Sequence, residues 1–465
     1  AILQSDYGIQ IRSLSSDNAD QRARSEAELV AAGEKSLPAL GKAIRTAPPD
    51  SRARLRAVRA RIEDNLLRQA TPTSLPPGEW SVDELTPLFR SFGSNHVERI
   101  PNIDFPSVRP ITINDGSSAS FWSSLDVVCE KAGLRYVPAS AVRRGEQAPR
   151  TVLFLAPEAD SCPRSDFGPL RLELISMGER RRIHLLPYSR KEREGSDRNG
   201  SQVVFSSEYG QRFSGLGLKF RLLAEPHLLI RRCADAEIIE FTDEAGRSLI
   251  GGQVKRIPLW GGGLPIAPQT SVGNLGLGLS DPPQDLKRIS RLKLKMWVEL
   301  VKRRPEPLVV KLMDPLSDWS ATSGETTVRV LELDRSSEPL FPVIKFSVAF
   351  HGTPPPLAPR PGEPKQERWM TQTMPEVTAN VLEVYDEAGR LLKWHSTPNP
   401  RAAVDGGVEA SLTLDARGEE KRGSAGRGRE APGSIRPSTP AELRYYEYGR
   451  AVVQAVFDFN DVDLP

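Results

Sequence analysis

Histidine and cysteine, which carry most nucleophilic, acid–base and metal chemistry, are scarce in this chain of 465 residues: it has five histidines and three cysteines. His96, His184, His227, His351 and His395 are scattered, with no pair at the helical spacing of metal ligands. Cys129, Cys162 and Cys233 lack the Cys-x-x-Cys spacing of a zinc or redox site. Charge of one sign is also missing, because 63 basic residues face 60 acidic ones for a net charge of +3. A dedicated nucleic-acid-binding domain needs a strongly basic surface, so none is expected. No apolar run approaches the roughly 20 residues that carry a helix across a bilayer. Gly261-Gly262-Gly263 lacks the lysine and hydroxyl of a phosphate-binding loop and reads as a flexible turn. Asp458, Asn460, Asp461 and Asp463 offer oxygen ligands, yet they interleave with Phe457, Phe459 and Val462 as an exposed strand face would. Carboxylate pairs suited to glycoside hydrolysis are too numerous for one to stand out. No catalytic, metal-ligating or cofactor-binding residue is nominated, and no enzyme is expected.

What the sequence does contain is a repeat. Asp-Glu-Ala-Gly-Arg occurs at Asp243 to Arg247 and again at Asp386 to Arg390, each time after a strand-like run. Ile238-Ile239-Glu240-Phe241-Thr242 matches Val381-Leu382-Glu383-Val384-Tyr385, and Leu249 matches Leu392. At the same offset Leu308-Val309-Val310 matches Ala451-Val452-Val453. The back of the chain therefore reads as two immunoglobulin-like β-sandwich domains related by duplication, over 165–320 and 325–465. Leu170, Leu172 and Leu174 alternate with Arg171 and Glu173, the pattern of a strand with one buried face. Further strands are expected at 183–186, 216–223, 228–231, 237–242, 292–298 and 308–312, and short strands divided by turns suit a sandwich. The repeated motif should form the same turn twice. Asp243 and Asp386 would accept local backbone N–H groups, while Gly246 and Gly389 would take the left-handed conformation.

The front is helical over 1–70. Asp17 or Asn18 caps a helix that Gly33 ends, and Leu37-Pro38 opens another. A third helix from Asp50 to about Arg68 carries Leu55, Val58, Ile62 and Leu66 on one face, and Arg52, Arg56, Arg59 and Arg61 on a face read as solvated. Over 77–150, Ser81-Val82-Asp83-Glu84 has the form of a capping box. A strand at Ile111 to Ile113, a helix at Phe121 to Gly133 and a strand at Leu134 to Val137 follow, giving a βαβ-type unit. The fold class is thus multidomain and mainly β, with a helical module and a small α/β unit in front.

Two stretches resemble known families. The helix, turn and Leu-Pro-Ala-Leu helix near Ser36 to Leu40 resemble a HEAT-type helical repeat. The elements over Ile111 to Val137 resemble the short N-terminal domain shared by secretins and TonB-dependent receptors, which implies a periplasmic interaction role. The order of helices, α/β unit and tandem β-domains resembles large exported bacterial proteins of no assigned activity. Export followed by removal of a leader would leave an end such as Ala1, as would trimming. In that setting the cysteines are either three packed thiols or include one disulfide, Cys162 to Cys233.

Segments 189–201, 351–368 and 415–440 hold too few apolar residues for a core and read as disordered-type loop insertions. The last is rich in glycine and arginine but has no aromatic residue for base stacking. The expectation is a non-enzymatic structural or adaptor subunit of a cell-envelope or extracellular assembly, using protein partners or self-assembly, with no cofactor. The alternative is a glycan- or peptide-binding module with Trp260, Trp297, Trp369 or Trp394 as its platform.

Overall fold

The computed structural model describes residues 7–92, 95–99, 110–114, 119–138, 152–157, 162–183, 212–234, 236–250, 256–257, 271–280, 283, 286–312, 319–323, 326–334, 341–350, 382–396, 401–402, 408–415 and 438–464. The segments 189–201, 351–368 and 416–437 lie outside the described residues.

Helices α1 (Gly8–Ser13), α2 (Ala19–Ala32), α3 (Leu37–Thr46) and α4 (Pro49–Arg68) form the front module. Asn18 caps α2 by accepting the Asp20 and Gln21 backbone N–H groups, and Gly33 ends it at φ 58°. Leu29, Leu40, Leu55, Val58 and Ile62 make its core. At the end of α4 adjacent leucines part company. Leu66 packs on the helical core, whereas Leu67 enters the core of the β unit behind it.

The next unit holds β1 (Pro72–Thr73), β2 (Gly78–Trp80), α5 (Val82–Ser91), β3 (His96–Arg99), β4 (Ile111–Ile113), β5 (Ala119–Ser120), α6 (Phe121–Ala132), β6 (Leu134–Pro138) and β7 (Val152–Pro157). The capping box at Ser81 and Glu84 is formed on both sides. The expected strand–helix–strand elements are present, but β4 pairs with β2 while β6 pairs with β7, so the two strands sit in different sheets. A three-residue strand offers few ladder bonds, and antiparallel pairing with the nearby β2 satisfies them without a crossover.

The first β unit is a sandwich. One sheet orders β14 (Ser271–Ser280), β10 (Arg212–Ala224), β9 (Leu170–Ile183) and β8 (Arg164–Phe167). The other joins β11 (Leu229–Cys233), β12 (Ala236–Asp243), β13 (Arg256–Ile257) and β15 (Arg288–Arg303), with β25 (Tyr448–Asp463) paired along β15 from Arg288↔Asp463 to Arg303↔Tyr448. Leu170, Leu172 and Leu174 point into the core between the sheets, where they meet Ala451, Val453, Ala455, Phe457 and Phe459 of β25.

Between β15 and β25 the chain builds the second β unit: β16 (Leu308–Lys311), β17 (Ser320–Ser323), β18 (Thr326–Asp334), β19 (Val343–Phe350), β20 (Leu382–Asp386), β21 (Leu391–Ser396), β22 (Arg401–Ala402), β23 (Val408–Asp415) and β24 (Pro440–Tyr445). Its antiparallel order is β16-β24-β20-β21-β23-β19-β18-β17, and β16 lies back against β17, so the sheet is nearly closed around its core. This unit differs from the expected two-sheet sandwich, and the boundaries 165–320 and 325–465 do not match the strand pairing. The first unit is made of 164–303 plus 448–463, and 308–445 is inserted at the end of the long β15/β25 pair. The reason is hydrophobic: β25 places a buried residue at nearly every second position into the first core, and β15 offers it a full-length partner.

Candidate functional site

The chemistry-bearing side chains concentrate where units meet. On β9 the alternation that sends Leu170 and Leu172 inward sends Arg171 and Glu173 the other way, onto α6 and β6. Arg171 is fully buried. Its Nη1 and Nη2 donate to Asp126 at 2.6 and 2.7 Å, its Nε and Nη2 donate to Asp166 at 2.6 and 2.7 Å, and Nη1 also donates to the Tyr136 hydroxyl at 2.8 Å. All five guanidinium N–H groups are thereby used. The guanidinium also lies 4.8 Å from the Trp122 ring centre, and Trp122 Nε1 donates to the Pro169 carbonyl at 3.1 Å. The Tyr136 hydroxyl donates to Glu173 at 2.5 Å, and Arg221 Nε donates to Glu173 at 2.8 Å. Burial works against the Arg171 charge, but the hydrogen bonds to Asp166 and Asp126 outweigh it and raise the pKa above the usual arginine value. Burial, and then the Glu173 charge, push the Tyr136 hydroxyl well up.

A second junction sits at the neck of the inserted unit. Arg304 follows β15 and Glu447 precedes β25. Arg304 donates its backbone N–H to the Glu447 carbonyl at 2.8 Å and its Nη1 to the Glu447 carboxylate at 2.7 Å. Helix α4 reaches the same point: Glu63 accepts from Arg304 Nε and Nη2 at 2.9 and 3.0 Å and from Arg59 Nε at 2.9 Å. Thr326 of the inserted unit donates to Glu447 at 2.6 Å, and Arg303 pairs with Glu383 at 3.1 Å. Burial disfavours the Glu63 charge, yet Arg304 and then Arg59 hold its carboxyl below the usual range. Arg59 is therefore turned into this junction, not spread on a solvated helix face as the sequence reading has it. The neighbouring Arg61 does reach outward, pairing with Glu26.

Helix α4 and β8 also cover the outer edge of β25. Arg68 donates to the Val452 carbonyl, and Ser165 Oγ accepts from the Asp458 N–H at 2.8 Å. Bare strand edges invite pairing with other chains, and these side chains occupy the edge instead. Two glycines permit the fit. A Cβ on Gly168, at φ 54°, would stand 2.6 Å from the Arg68 carbonyl oxygen, and one on Gly449 would stand 2.9 Å from Glu63 Cδ.

The two repeated turns are superimposable in their bonding. Asp243 Oδ1 accepts from the Ala245 and Arg247 N–H groups at 3.0 and 2.8 Å, and Asp386 Oδ1 accepts from those of Ala388 and Arg390 at 2.9 and 2.8 Å. Gly246 stands at φ 74° and Gly389 at φ 75°. Phe241 receives the Leu249 N–H at its carbonyl, and the equivalent Val384 is the register partner of Leu392.

The other sequence candidates are dispersed. None of Cys129, Cys162 and Cys233 is in a disulfide. The bridge between Cys162 and Cys233 is not formed: Cys233 turns into the sandwich core, while burial and then the Glu173 charge raise the Cys162 thiol pKa. His227 lies in the turn after β10 and packs, 10% exposed, against Asn95 and Glu225. His184, His351, Trp260, Trp369 and Gly261 to Gly263 lie outside the described residues. Trp297 and Trp394 are each only 7% exposed, which withdraws both from any sugar-stacking face. Asp458 and Asp463 pair with Arg291 and Arg288 across the β15/β25 ladder. Among the described residues no cluster of three or more His, Cys, Asp or Glu is arranged to hold a metal ion, and no helix is long and apolar enough to cross a membrane.

The junction residues left little trace in the sequence. Arg171 and Glu173 read as the outward half of an alternating strand, and only the packing of α6 over them makes that face interior. No protein-family model, curated protein or solved structure matches the chain.

Proposed function

We propose that the chain is a non-enzymatic structural or adaptor subunit of an exported, cell-envelope or extracellular assembly, presenting the loops and edges of its β units to protein partners. The observation that carries this reading is the use of the buried charges. Arg171 and Arg304 each bind carboxylates from separate units, so these two buried arginines are engaged in holding units together. A multi-unit body joined at buried ionic junctions, with its longest edge strand covered, is suited to holding neighbours.

A duplication fits the same picture. The matched turns support it, and Arg304 and Glu447, which bond to each other at the neck, are themselves 143 residues apart, the offset of the repeat. On this reading two copies of one β element trade their last strands: β16 completes the sheet of β24 and β20, while β25 completes that of β15 and β12.

The test is purification at native abundance with mass determination of the intact complex. A stoichiometric protein partner or a defined homo-oligomer is expected. A solitary monomer that turns over a small molecule in an activity screen would contradict the proposal.

A further inference from the structure

Where the helical module, the α/β unit and the sandwich come together lies a buried carboxyl that neither ionic junction uses. Glu225 opens the turn between β10 and β11 and is fully buried. It reaches across two boundaries. Its Oε1 accepts the backbone N–H of Thr71, in the link from α4 to β1, at 2.9 Å. Its Oε2 accepts from Asn95 Nδ2, between α5 and β3, at 3.4 Å. Asn95 in turn accepts from the His227 backbone N–H at 3.2 Å, with His227 Nδ1 at 2.9 Å from the same oxygen. The Thr71 carbonyl accepts the N–H of Phe121 at the start of α6, and the Glu225 N–H donates to the Pro169 carbonyl that also receives Trp122. Displacing this carboxyl would therefore disturb all three units.

The charges around it are few. Among the described residues the one ionisable group within ion-pair distance is His227, whose Nδ1 lies 3.5 Å from Oε2. Lys302 of β15 acts from further off and is itself paired with Glu34 at 3.6 Å. Thr71 and Asn95 bring dipoles but no charge. An ionised carboxylate in this position is buried without a close cation, a costly arrangement.

We propose that Glu225 is a pH-sensitive latch, closed when its carboxyl is protonated and loosened when it ionises, that sets how tightly the helical and α/β units dock on the sandwich. Burial pushes its pKa up to about 7, only partly offset by the Thr71 and Asn95 hydrogen bonds and Lys302. Burial and then Lys302 hold His227 down to about 3, so the imidazole stays neutral and supplies no counter-charge in this range. The sign follows from linkage. The docked pKa lies above the ordinary glutamate value, so docking is favoured in full below that ordinary value and the advantage is lost as the pH rises through about 7. If opening returns the carboxyl to water, docking weakens by roughly tenfold between pH 6 and pH 8.

Hydrogen exchange measured on the full chain and corrected for intrinsic base catalysis tests this. Protection of the peptides holding the Thr71 and Phe121 amides should fall by about tenfold from pH 6 to pH 8. Glu225→Gln, which keeps the shape without the charge, should abolish that fall. A wild-type protection that stays flat over this range, or an equal fall in the variant, would overturn the proposal. Should the variant not fold, NMR titration of the Glu225 carboxyl in the native protein decides the matter: a midpoint near 7 supports the latch, and one in the ordinary glutamate range refutes it.

Discussion

Replacing Arg171 by methionine removes the cation that two aspartates and a tyrosine share, while keeping most of the apolar stem. Asp126 keeps Arg164 at 3.3 Å, but it and Asp166 lose their shared guanidinium; at 19% and 34% exposed they also regain some water. Breaking a buried pair from one side costs about 3–5 kcal/mol, and this partial rehydration argues for the lower end, about 3 kcal/mol. Arg171→Lys should recover less than half of the loss, because an ammonium cannot present the flat fork that engages both carboxylates at once. Combining Arg171→Met with Asp126→Asn and Asp166→Asn should restore most of it, since no uncompensated charge stays buried. Urea unfolding followed at the amides of α6 and β9 reports the change where it arises. A loss under about 1 kcal/mol for Arg171→Met, or a lysine variant as stable as wild type, would refute this account of the junction.

Gly168→Ala should cost about 1–2 kcal/mol for its left-handed backbone alone and more for the collision with Arg68, seen as a lower Tm. Gly449→Ala should cost less, because the atom it meets is the end of the Glu63 side chain, and should weaken the Glu63–Arg304 pairing. Removing 448–465 strips β25 from the first core, so loss of near-ultraviolet circular dichroism is expected even though the second β unit keeps all its strands. Asp243 and Asp386 are held below the usual carboxylate range, chiefly by Arg247 and Arg390 against the opposing effect of burial. Their contribution is present above the ordinary aspartate pKa and lost as the pH falls below it, so Asp243→Asn and Asp386→Asn should each flatten the acid limb of a stability profile.

Local features were legible in the sequence because their causes are local. The Asn18 and Ser81 caps, the stripe on α4, the alternation on β9 and both Asp-x-x-Gly turns depend on residues within a few positions of one another. Strand partnership was not legible. The match of Leu308-Val309-Val310 to Ala451-Val452-Val453 correctly marks two strands but says nothing of which sheet each joins, and pairing across more than a hundred residues is fixed by which core can bury the apolar face. The ionic junctions were hidden for the same reason. Arg171, Glu63, Glu225 and Arg304 look like ordinary surface charges until a distant element covers them.

The central claim is that α4, the α/β unit and the two β units form one mechanical body held by the junctions at Arg171 and Arg304. Native-state hydrogen exchange across a series of low denaturant concentrations tests it directly. Core amides around Leu55, Leu125, Leu294 and Val384 should converge on a common opening free energy, as one cooperative unit does. If the amides of α4 or of the inserted unit instead exchange through an independent opening well below the others, the units are beads on a string and the account is wrong.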